Sequence, residues 1–288
     1  MNNNNILENI LNTNYYVHNN SKHVKINIDE IKNLIQNNNL DKHHHWLSSN
    51  PFGLLDLEVK DIVNFLIILG SIDCSFWGSP KWTIKANGKN IDGAFALIYS
   101  LLKLRNDKGH LNFEKISFKD FKNALKGNVN IPFLGERYDI VLEVSRIINS
   151  KMNGDFYTYI KDINNDTELM HILVNNFPSF EDKRSYQGQE ISFYKLAQLV
   201  TSDILHIRKL KENIKVDYSH LVGCADYKIP QVLRALNILE YDSELANLVD
   251  NKIEIKENSI YEVEIRANMI VVIDIIKKEL SNKICAID

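Results

Sequence analysis

The chain has 288 residues, of which 44% are hydrophobic and 25% are charged. This length predicts one large domain or two small ones, and a chain of this size needs no metal ion or disulfide to stabilise its core. Lys and Arg number 34 against 37 Asp and Glu, which gives a formal charge of −3. That balance argues against a dedicated duplex-DNA binder, because such proteins usually carry a basic face.

The cysteines and the apolar stretches indicate a cytoplasmic protein. Cys74, Cys224 and Cys285 lie at no metal-ligand spacing and are typical of reduced thiols. The first residues lack the basic start and apolar run of a signal peptide, and the longest apolar stretch, 62–72, is too short to cross a bilayer. We therefore expect no membrane partner, no structural metal and no cofactor.

The predicted elements are mostly helices. Residues 1–20 are Asn-rich and are expected to fray, whereas residues 21–288 are expected to form a single domain. Helical periodicity is the stronger pattern in seven segments: 28–35, 59–72, 117–125, 134–152, 192–211, 229–236 and 259–280. Only residues 81–93 are typical of strand, with Asn87-Gly88 as a two-residue turn. The fold class is therefore mainly α, with one small β-hairpin or sheet.

Asp226 is the most informative single residue. It follows the small apolar run 222–225 and precedes the predicted helix 229–236. A carboxylate at a helix N-terminus is favoured in its ionised form by the helix dipole and the free N–H groups. The alternative is that Asp226 is a structural N-cap without a chemical role.

Two cations lie on helices that are otherwise apolar. Lys195 and Arg266 are either buried partners of Asp226 and Glu264 or an anion clamp. Arg266 also stands four residues after Glu262, so an ordinary ion pair along the helix is a third interpretation.

Standard catalytic signatures are absent from the chain, which contains no P-loop, no dinucleotide-binding glycine motif and no zinc-protease motif. The adjacent histidines at 43–45 are unsuited to one metal ion, because neighbouring side chains point in different directions.

Six motifs in one order resemble the queuosine salvage protein family over residues 50–288. They occupy residues 76–82, 132–137, 177–182, 193–198, 225–231 and 262–267. The resemblance implies a mainly helical fold, similar to helix-hairpin-helix DNA glycosylases. It also implies an N-glycosidase that hydrolyses queuosine 5′-monophosphate to queuine and ribose 5-phosphate, for salvage of queuine into tRNA.

The resemblance also implies site residues. The family's catalytic carboxylate corresponds to Asp226, and an aromatic residue of the base pocket is replaced by Cys224. A family histidine before an Asn-Pro turn is matched best by His45. The family's C-terminal Asp-aromatic segment, which contacts the base, would begin where this sequence ends, at Asp288. Asp288 is the expected partner of the cationic arm of the base.

The chemistry of the implied reaction assigns roles to these groups. Cleavage of a nucleoside C1′–N bond passes through an oxocarbenium-like sugar, which an ionised carboxylate beneath the ring stabilises. We expect Asp226 to supply that charge, and Lys195 and Arg266 to bind the 5′-phosphate. Three aromatic side chains are expected to hold the base: Phe76, Trp77 and Tyr227.

Two other functions stay open at this point. A non-catalytic helical protein that binds a modified nucleobase is consistent with Cys224 and with the shortened C-terminal segment. A repair glycosylase acting on nucleic acid is disfavoured by the near-neutral charge, because base flipping needs a surface that grips phosphates. We expect a small-molecule substrate and no direct nucleic-acid partner, and the sequence does not predict the oligomeric state.

Overall fold

The structure is a computed structural model that describes residues 5–38, 45–108, 113–281 and 284–287. It is mainly helical, which confirms the predicted fold class. Within these ranges the α-helices are α1 (Ile6–Asn20), α2 (Ile28–Asn37), α3 (Val59–Ser71), α4 (Gly93–Lys108), α5 (Phe118–Ala124), α6 (Leu134–Lys151), α7 (Phe156–Ile160), α8 (Asp166–Asn176), α9 (Lys195–Glu212), α10 (Lys228–Ala235), α11 (Ser243–Asp250) and α12 (Ile260–Glu279). No helix in these ranges has both the length and the apolar character that a membrane crossing requires.

Short strands form three antiparallel pairs in the described ranges. They are β1 (Val24–Ile26) with β6 (Leu239–Tyr241), β2 (Thr83–Ala86) with β3 (Lys89–Asp92), and β4 (Lys183–Tyr186) with β5 (Gln189–Ser192). The β2–β3 hairpin is the predicted one, and Asn87 and Gly88 have the positive φ angles, 49° and 77°, that its turn requires. The sequence predicted one small sheet, and the structure adds the other two pairs.

Helix boundaries follow the capping signals in the sequence. Ser117 accepts a hydrogen bond from the Asp120 N–H at 3.1 Å and begins α5, and Ser259 accepts one from the Glu262 N–H at 3.3 Å and begins α12. Both helices therefore begin where a capping side chain satisfies a free N–H group.

The chain divides into two compact units. Unit 1 comprises Met1–His44, Glu181–Leu199 and Asp217–Asp288, and unit 2 comprises His45–Phe180 and Val200–Val216. The sequence predicted a single domain over residues 21–288, and that organisation stays a prediction.

Unit 1 is built around α12, which packs against α1, α2, α10 and the strands β1 and β4. Glu264 on α12 is fully buried and accepts hydrogen bonds from the main-chain N–H groups of Lys22, His23 and Val24 and from the Tyr186 hydroxyl. A buried carboxylate needs such partners. Glu264 therefore fixes the main chain at the start of β1 and is not the partner of Lys195 or Arg266.

Residues 6–20 form the helix α1, and the fraying of residues 1–20 stays a prediction. Asn5 accepts a hydrogen bond from the Leu7 N–H at 3.1 Å and begins α1. Leu7, Ile10 and Val17 are buried on one face of α1, which packs against α12 and β5. The Asn-rich start of the chain thus contributes to the core from residue 7 onwards, and residues 1–4 lie outside the described ranges.

Unit 2 has α3 at its centre, packed against α4, α6 and α7. The residues from Ile62 to Ser71 are buried apart from Asn64, as the nearly continuous apolar pattern predicted. A Cβ atom at Gly70 would lie 2.0 Å from Cγ2 of Val200 on α9, so only glycine allows the two helices to approach this closely. This approach fixes the position of α9 within unit 2.

Candidate active site

In unit 1, Asp226 lies in the irregular loop 221–227 directly before α10. Its Oδ1 accepts a hydrogen bond from the Lys228 N–H at 2.9 Å, and its own N–H donates to the Cys224 carbonyl at 2.7 Å. The carboxylate therefore lies at a helix N-terminus, where the exposed N–H groups and the dipole favour negative charge.

The second oxygen of Asp226 pairs with Lys195. Asp226 Oδ2 lies 3.2 Å from Lys195 Nζ, and the two side chains are 25% and 12% exposed. Lys195 is the first residue of α9, so a helix start and a loop, 31 positions apart along the chain, bring the two groups together. Of the partners that the sequence allowed for Lys195, Asp226 is the one observed. The pair is therefore partly exposed.

Arg266 on α12 is held by protein carboxylates. Its guanidinium donates from Nη1 to Asp182 Oδ1 at 3.0 Å, from Nη2 to Asp182 Oδ2 at 2.5 Å, and from Nη1 to Glu262 Oε1 at 3.0 Å. The guanidinium carbon also lies 3.9 Å from the centre of the Phe193 ring. Arg266 thus has the predicted Glu262 partner but not Glu264, and its role as a phosphate ligand stays a prediction.

Asp182 connects Arg266 to the start of α9. Its Oδ2 accepts a hydrogen bond from the Lys195 N–H at 3.1 Å, and its carbonyl accepts one from the Phe193 N–H at 2.9 Å. Burial alone would raise the pKa of Asp182, but the charge of Arg266 and hydrogen bonds from Arg266 and the Lys195 N–H lower it below its ordinary value. An ionised Asp182 therefore fixes the main chain that carries Lys195. Sequence analysis missed this role, although Asp182 stands in one of the six motifs.

Cys224 and Tyr227 lie in the same loop as Asp226. The Cys224 side chain is half-buried and forms no disulfide, and its Sγ contacts the Lys195 carbonyl at 3.6 Å. The half-buried Tyr227 ring lies 5.4 Å from Lys228 Nζ. Unit 1 thus contains five of the predicted site residues: Asp226, Lys195, Cys224, Tyr227 and Arg266.

Phe76 and Trp77 lie in unit 2, in the loop that follows α3. The fully buried guanidinium of Arg137 donates hydrogen bonds to the carbonyls of Ile72, Cys74 and Ser75 and lies 5.2 Å from the centre of the Phe76 ring. Arg137 therefore fixes the main chain of the loop that carries Phe76 and Trp77. Sequence analysis missed this role. Trp77 is 42% exposed, which leaves a flat aromatic surface available to a ligand.

His45 also lies in unit 2 and is 9% exposed. Its Nε2 lies 3.3 Å from Asp203 Oδ1, and its ring is stacked on that of His206 with centroids 3.8 Å apart. The Trp46 indole N–H donates to the same Asp203 oxygen at 2.8 Å. His45 is thus held by protein partners on two sides. The other predicted site residue, Asp288, and His43 and His44 lie outside the described ranges.

Comparison with known proteins gives consistent matches. A family model described as queuosine salvage protein matches residues 55–287. A queuosine 5′-phosphate N-glycosylase/hydrolase of Sphaerobacter thermophilus is 32% identical over 233 residues, which cover 79% of this chain and 72% of the relative. A protein of the same name from Dictyostelium discoideum is 25% identical over 274 residues, covering 88% of this chain and 81% of the relative.

Proposed function

Because the chain belongs to the queuosine salvage protein family, we propose that it hydrolyses the N-glycosidic bond of queuosine 5′-monophosphate. The C1′–N bond breaks, the hydroxyl of a water molecule is added to C1′, and its proton goes to the base, which gives queuine and ribose 5-phosphate. The observation that carries this proposal is the ion pair between Lys195, the first residue of α9, and Asp226, directly before α10. The two residues belong to two of the motifs that resemble the family.

Asp226 is proposed to stabilise the transition state. Positive charge develops at C1′ and on the ring oxygen as the base leaves, and a fixed carboxylate stabilises that charge more than it stabilises the ground state. Queuine is a 7-deazaguanine and lacks the basic N7 that could accept a proton before departure. More of the rate acceleration must then come from the sugar side, which suits a site centred on one carboxylate.

Lys195 is proposed to have two roles. Its ammonium group, 3.2 Å from Asp226 Oδ2, orients the carboxylate. The 5′-phosphate is the substrate's strongest anion, and the positive charge of the same ammonium group is proposed to attract it. Binding at a phosphate remote from the reacting bond can then be used to orient C1′ over the carboxylate.

Apart from Arg266, whose predicted ligand is the phosphate, the remaining predicted residues are proposed to bind the base. Tyr227 and the residue at 224 belong to the loop of Asp226, and Phe76 and Trp77 offer aromatic faces. His45 and Asp288 are proposed to contact the polar edge or the cationic arm of the base. We further propose that the reaction takes place in the cytoplasm, since the three cysteines, all in the described part of the chain, form no disulfide, which is typical of a reducing compartment. There the reaction is proposed to supply queuine to tRNA modification.

The test is to incubate the protein with queuosine 5′-monophosphate and to separate free queuine by chromatography. We expect queuine release, and we expect kcat/KM for the free nucleoside to be more than about tenfold lower, because a charge-assisted contact to the phosphate contributes about 1.5–3 kcal/mol. Tight binding of queuine without any release from the nucleotide would contradict the proposal and favour the base-binding protein. Release of a base from damaged DNA alone would favour the repair glycosylase.

A further inference from the structure

Gln198 is a buried amide whose side chain is hydrogen-bonded to two separate stretches of main chain in unit 1. It lies one turn after Lys195 on α9 and has 0% exposure. Its Oε1 accepts a hydrogen bond from the Val222 N–H at 2.9 Å. Its Nε2 donates to the Phe193 carbonyl at 3.0 Å and to the Gly223 carbonyl at 2.9 Å.

These two stretches carry the charged pair of the site. Phe193 lies two residues before Lys195, and Gly223 lies three residues before Asp226. A second contact, between Cys224 Sγ and the Lys195 carbonyl at 3.6 Å, joins the same two stretches. Since the loop 221–227 is irregular, a side-chain amide supplies the hydrogen bonds that a neighbouring strand would otherwise supply.

The loop is also packed closely against α12. Gly223 has a φ of +108°, and a Cβ atom added there would lie 3.0 Å from Cδ1 of Ile273. The loop therefore has little room to move towards α12. A change in the hydrogen bonds to Gln198 is expected to shift Asp226 relative to Lys195 instead.

We infer that Gln198 is a positioning residue, which sets the separation between the turn that carries Lys195 and the loop that carries Asp226. It acts through these two groups and not on the reacting atoms, and the inference rests on the proposed function. An amide is required because the position needs one acceptor and two donors. A carboxylate would face two carbonyl oxygens, and a protonated carboxyl group would supply only one donor.

The test is the Gln198→Glu variant, assayed with queuosine 5′-monophosphate. At pH 8 we expect kcat to fall by about 10–100-fold while KM changes by less than about threefold, because a displacement of the order of 1 Å can lower the rate by about 10²-fold. Between pH 8 and pH 5.5 the loss is expected to shrink, since protonation of the buried Glu restores one donor. A purely structural role would give no such split between kcat and KM.

Asn268 offers a matched control in the same unit. It is a fully buried amide on α12 whose Nδ2 donates to Ser21 Oγ and to the Glu264 carbonyl, each at 2.8 Å. Its Oδ1 lies 2.7 Å from His18 Nδ1, and none of these three partners belongs to the two stretches that Gln198 joins. We expect Asn268→Asp to lower the melting temperature about as much as Gln198→Glu does, and to leave kcat within about twofold of the wild type.

A Gln198→Glu variant with unchanged kcat would overturn the inference, and so would an Asn268→Asp variant that loses kcat to the same extent. If Gln198→Glu does not fold, the fallback is Gln198→Asn, which keeps both donors and the acceptor on a side chain one methylene shorter. An unchanged kcat in that variant would also overturn the inference. A wild-type protein that releases no queuine would contradict the proposed function itself. If the wild type turns over normally and substitutions of Gln198 leave kcat unchanged, only this inference is contradicted and the proposed function stands.

Discussion

The two oxygens of Asp226 have different partners, an N–H group at a helix start and a lysine ammonium group. Both stabilise the anion, and the carboxylate stays a quarter exposed. A neutral amide in its place would keep the hydrogen bond from the Lys228 N–H and lose the charge. The charge of this one side chain can therefore be tested with little change in shape.

We predict that Asp226→Asn lowers the single-turnover rate by about 10²–10³-fold, since one preorganised electrostatic group typically contributes that much. Affinity for the intact nucleotide should change little, because the variant is nearly isosteric. The measurement combines rapid-quench kinetics with calorimetry of nucleotide binding. A rate within tenfold of the wild type would remove Asp226 from the reaction.

Arg266 is the residue whose surroundings could not be foreseen from the sequence. Its main partner, Asp182, lies 84 positions away, and no periodicity or spacing relates the two. The i,i+4 partner Glu262 could be read from the helix, because that relation is local. The pairing of Lys195 with Asp226 was one of the sequence's alternatives, and the motifs alone could not choose between it and an anion clamp.

We predict that Arg266→Lys lowers kcat by about tenfold and leaves KM for the nucleotide nearly unchanged. Lys cannot form the two parallel hydrogen bonds to Asp182, so the start of α9 loses its fixed position. The steady-state constants test this, with Arg234→Lys as the control, because Arg234 makes a similar two-pronged pair with Asp250 at the surface. A raised KM with normal kcat would instead assign Arg266 to the phosphate.

At the level of the elements, the sequence predicted seven of the described helices, α2, α3, α5, α6, α9, α10 and α12. It missed α4 and also α7, α8 and α11, although each of the last three begins at an Asp or Asn cap. It did not predict α1, because that helix is rich in asparagine and buries one of them, Asn14, whose amide donates to the Ser192 carbonyl at 2.9 Å. It also missed β1 and β6, which are three residues each and pair across more than 200 positions. Such short strands show no alternation, and their pairing depends on contacts distant in the chain.

Asp155 shows how one side chain joins two helices of unit 2. It begins α7 by accepting a hydrogen bond from the Thr158 N–H at 3.3 Å. From α3 it accepts a hydrogen bond from Asn64 Nδ2 at 3.0 Å and pairs with Lys60 Nζ at 2.8 Å. Burial would raise the pKa of Asp155, but these hydrogen bonds lower it from 3.8 to about 2. The ionised form is therefore the one that stabilises the fold.

We predict that Asp155→Asn lowers the free energy of unfolding by about 2 kcal/mol at pH 7, since each unit of pKa shift corresponds to about 1.4 kcal/mol. The folded-state pKa is depressed, so this stability is fully present above about pH 4 and is lost as the pH falls through about 2. Urea unfolding of both proteins at pH 7 and near pH 2 is the measurement. The same difference at both pH values would contradict the prediction.

For the molecule as a whole, the near-neutral net charge predicts a small-molecule ligand and not a polynucleotide. With 34 basic and 37 acidic residues, the chain has no excess of cations to release counterions from a polynucleotide. We predict no retention of tRNA or of lesion-bearing duplex DNA in filter binding at 150 mM salt and about 10 µM protein, while queuosine 5′-monophosphate still binds. Tight binding that weakens steeply with added salt would contradict this prediction.

The division into two units could not be predicted, because each unit is assembled from separated stretches of chain. The chain passes from one unit to the other at residues 44–45, 180–181, 199–200 and 216–217. None of these four positions lies in a segment rich in Gly, Pro or Ser. One change falls inside α9, a continuous helix. Linker composition marks boundaries only where a domain is one uninterrupted stretch.

The packing of α1 against α12 has a consequence for biosynthesis. His18 on α1 and its hydrogen-bond partner Asn268 on α12 are 250 positions apart, so α1 leaves the ribosome long before its partner is translated. Between the translation of α1 and that of α12, most of unit 2, residues 45–180, emerges as one uninterrupted stretch and can begin to fold independently. Until β5 and then α12 are translated, α1 lacks the two elements of unit 1 that pack against it, and transiently exposed apolar surface of this kind makes a nascent chain prone to aggregation. The loop that carries Asp226 and the helix α12 that it packs against are both translated late, so a prematurely terminated chain would expose the apolar face of α1 without containing Asp226.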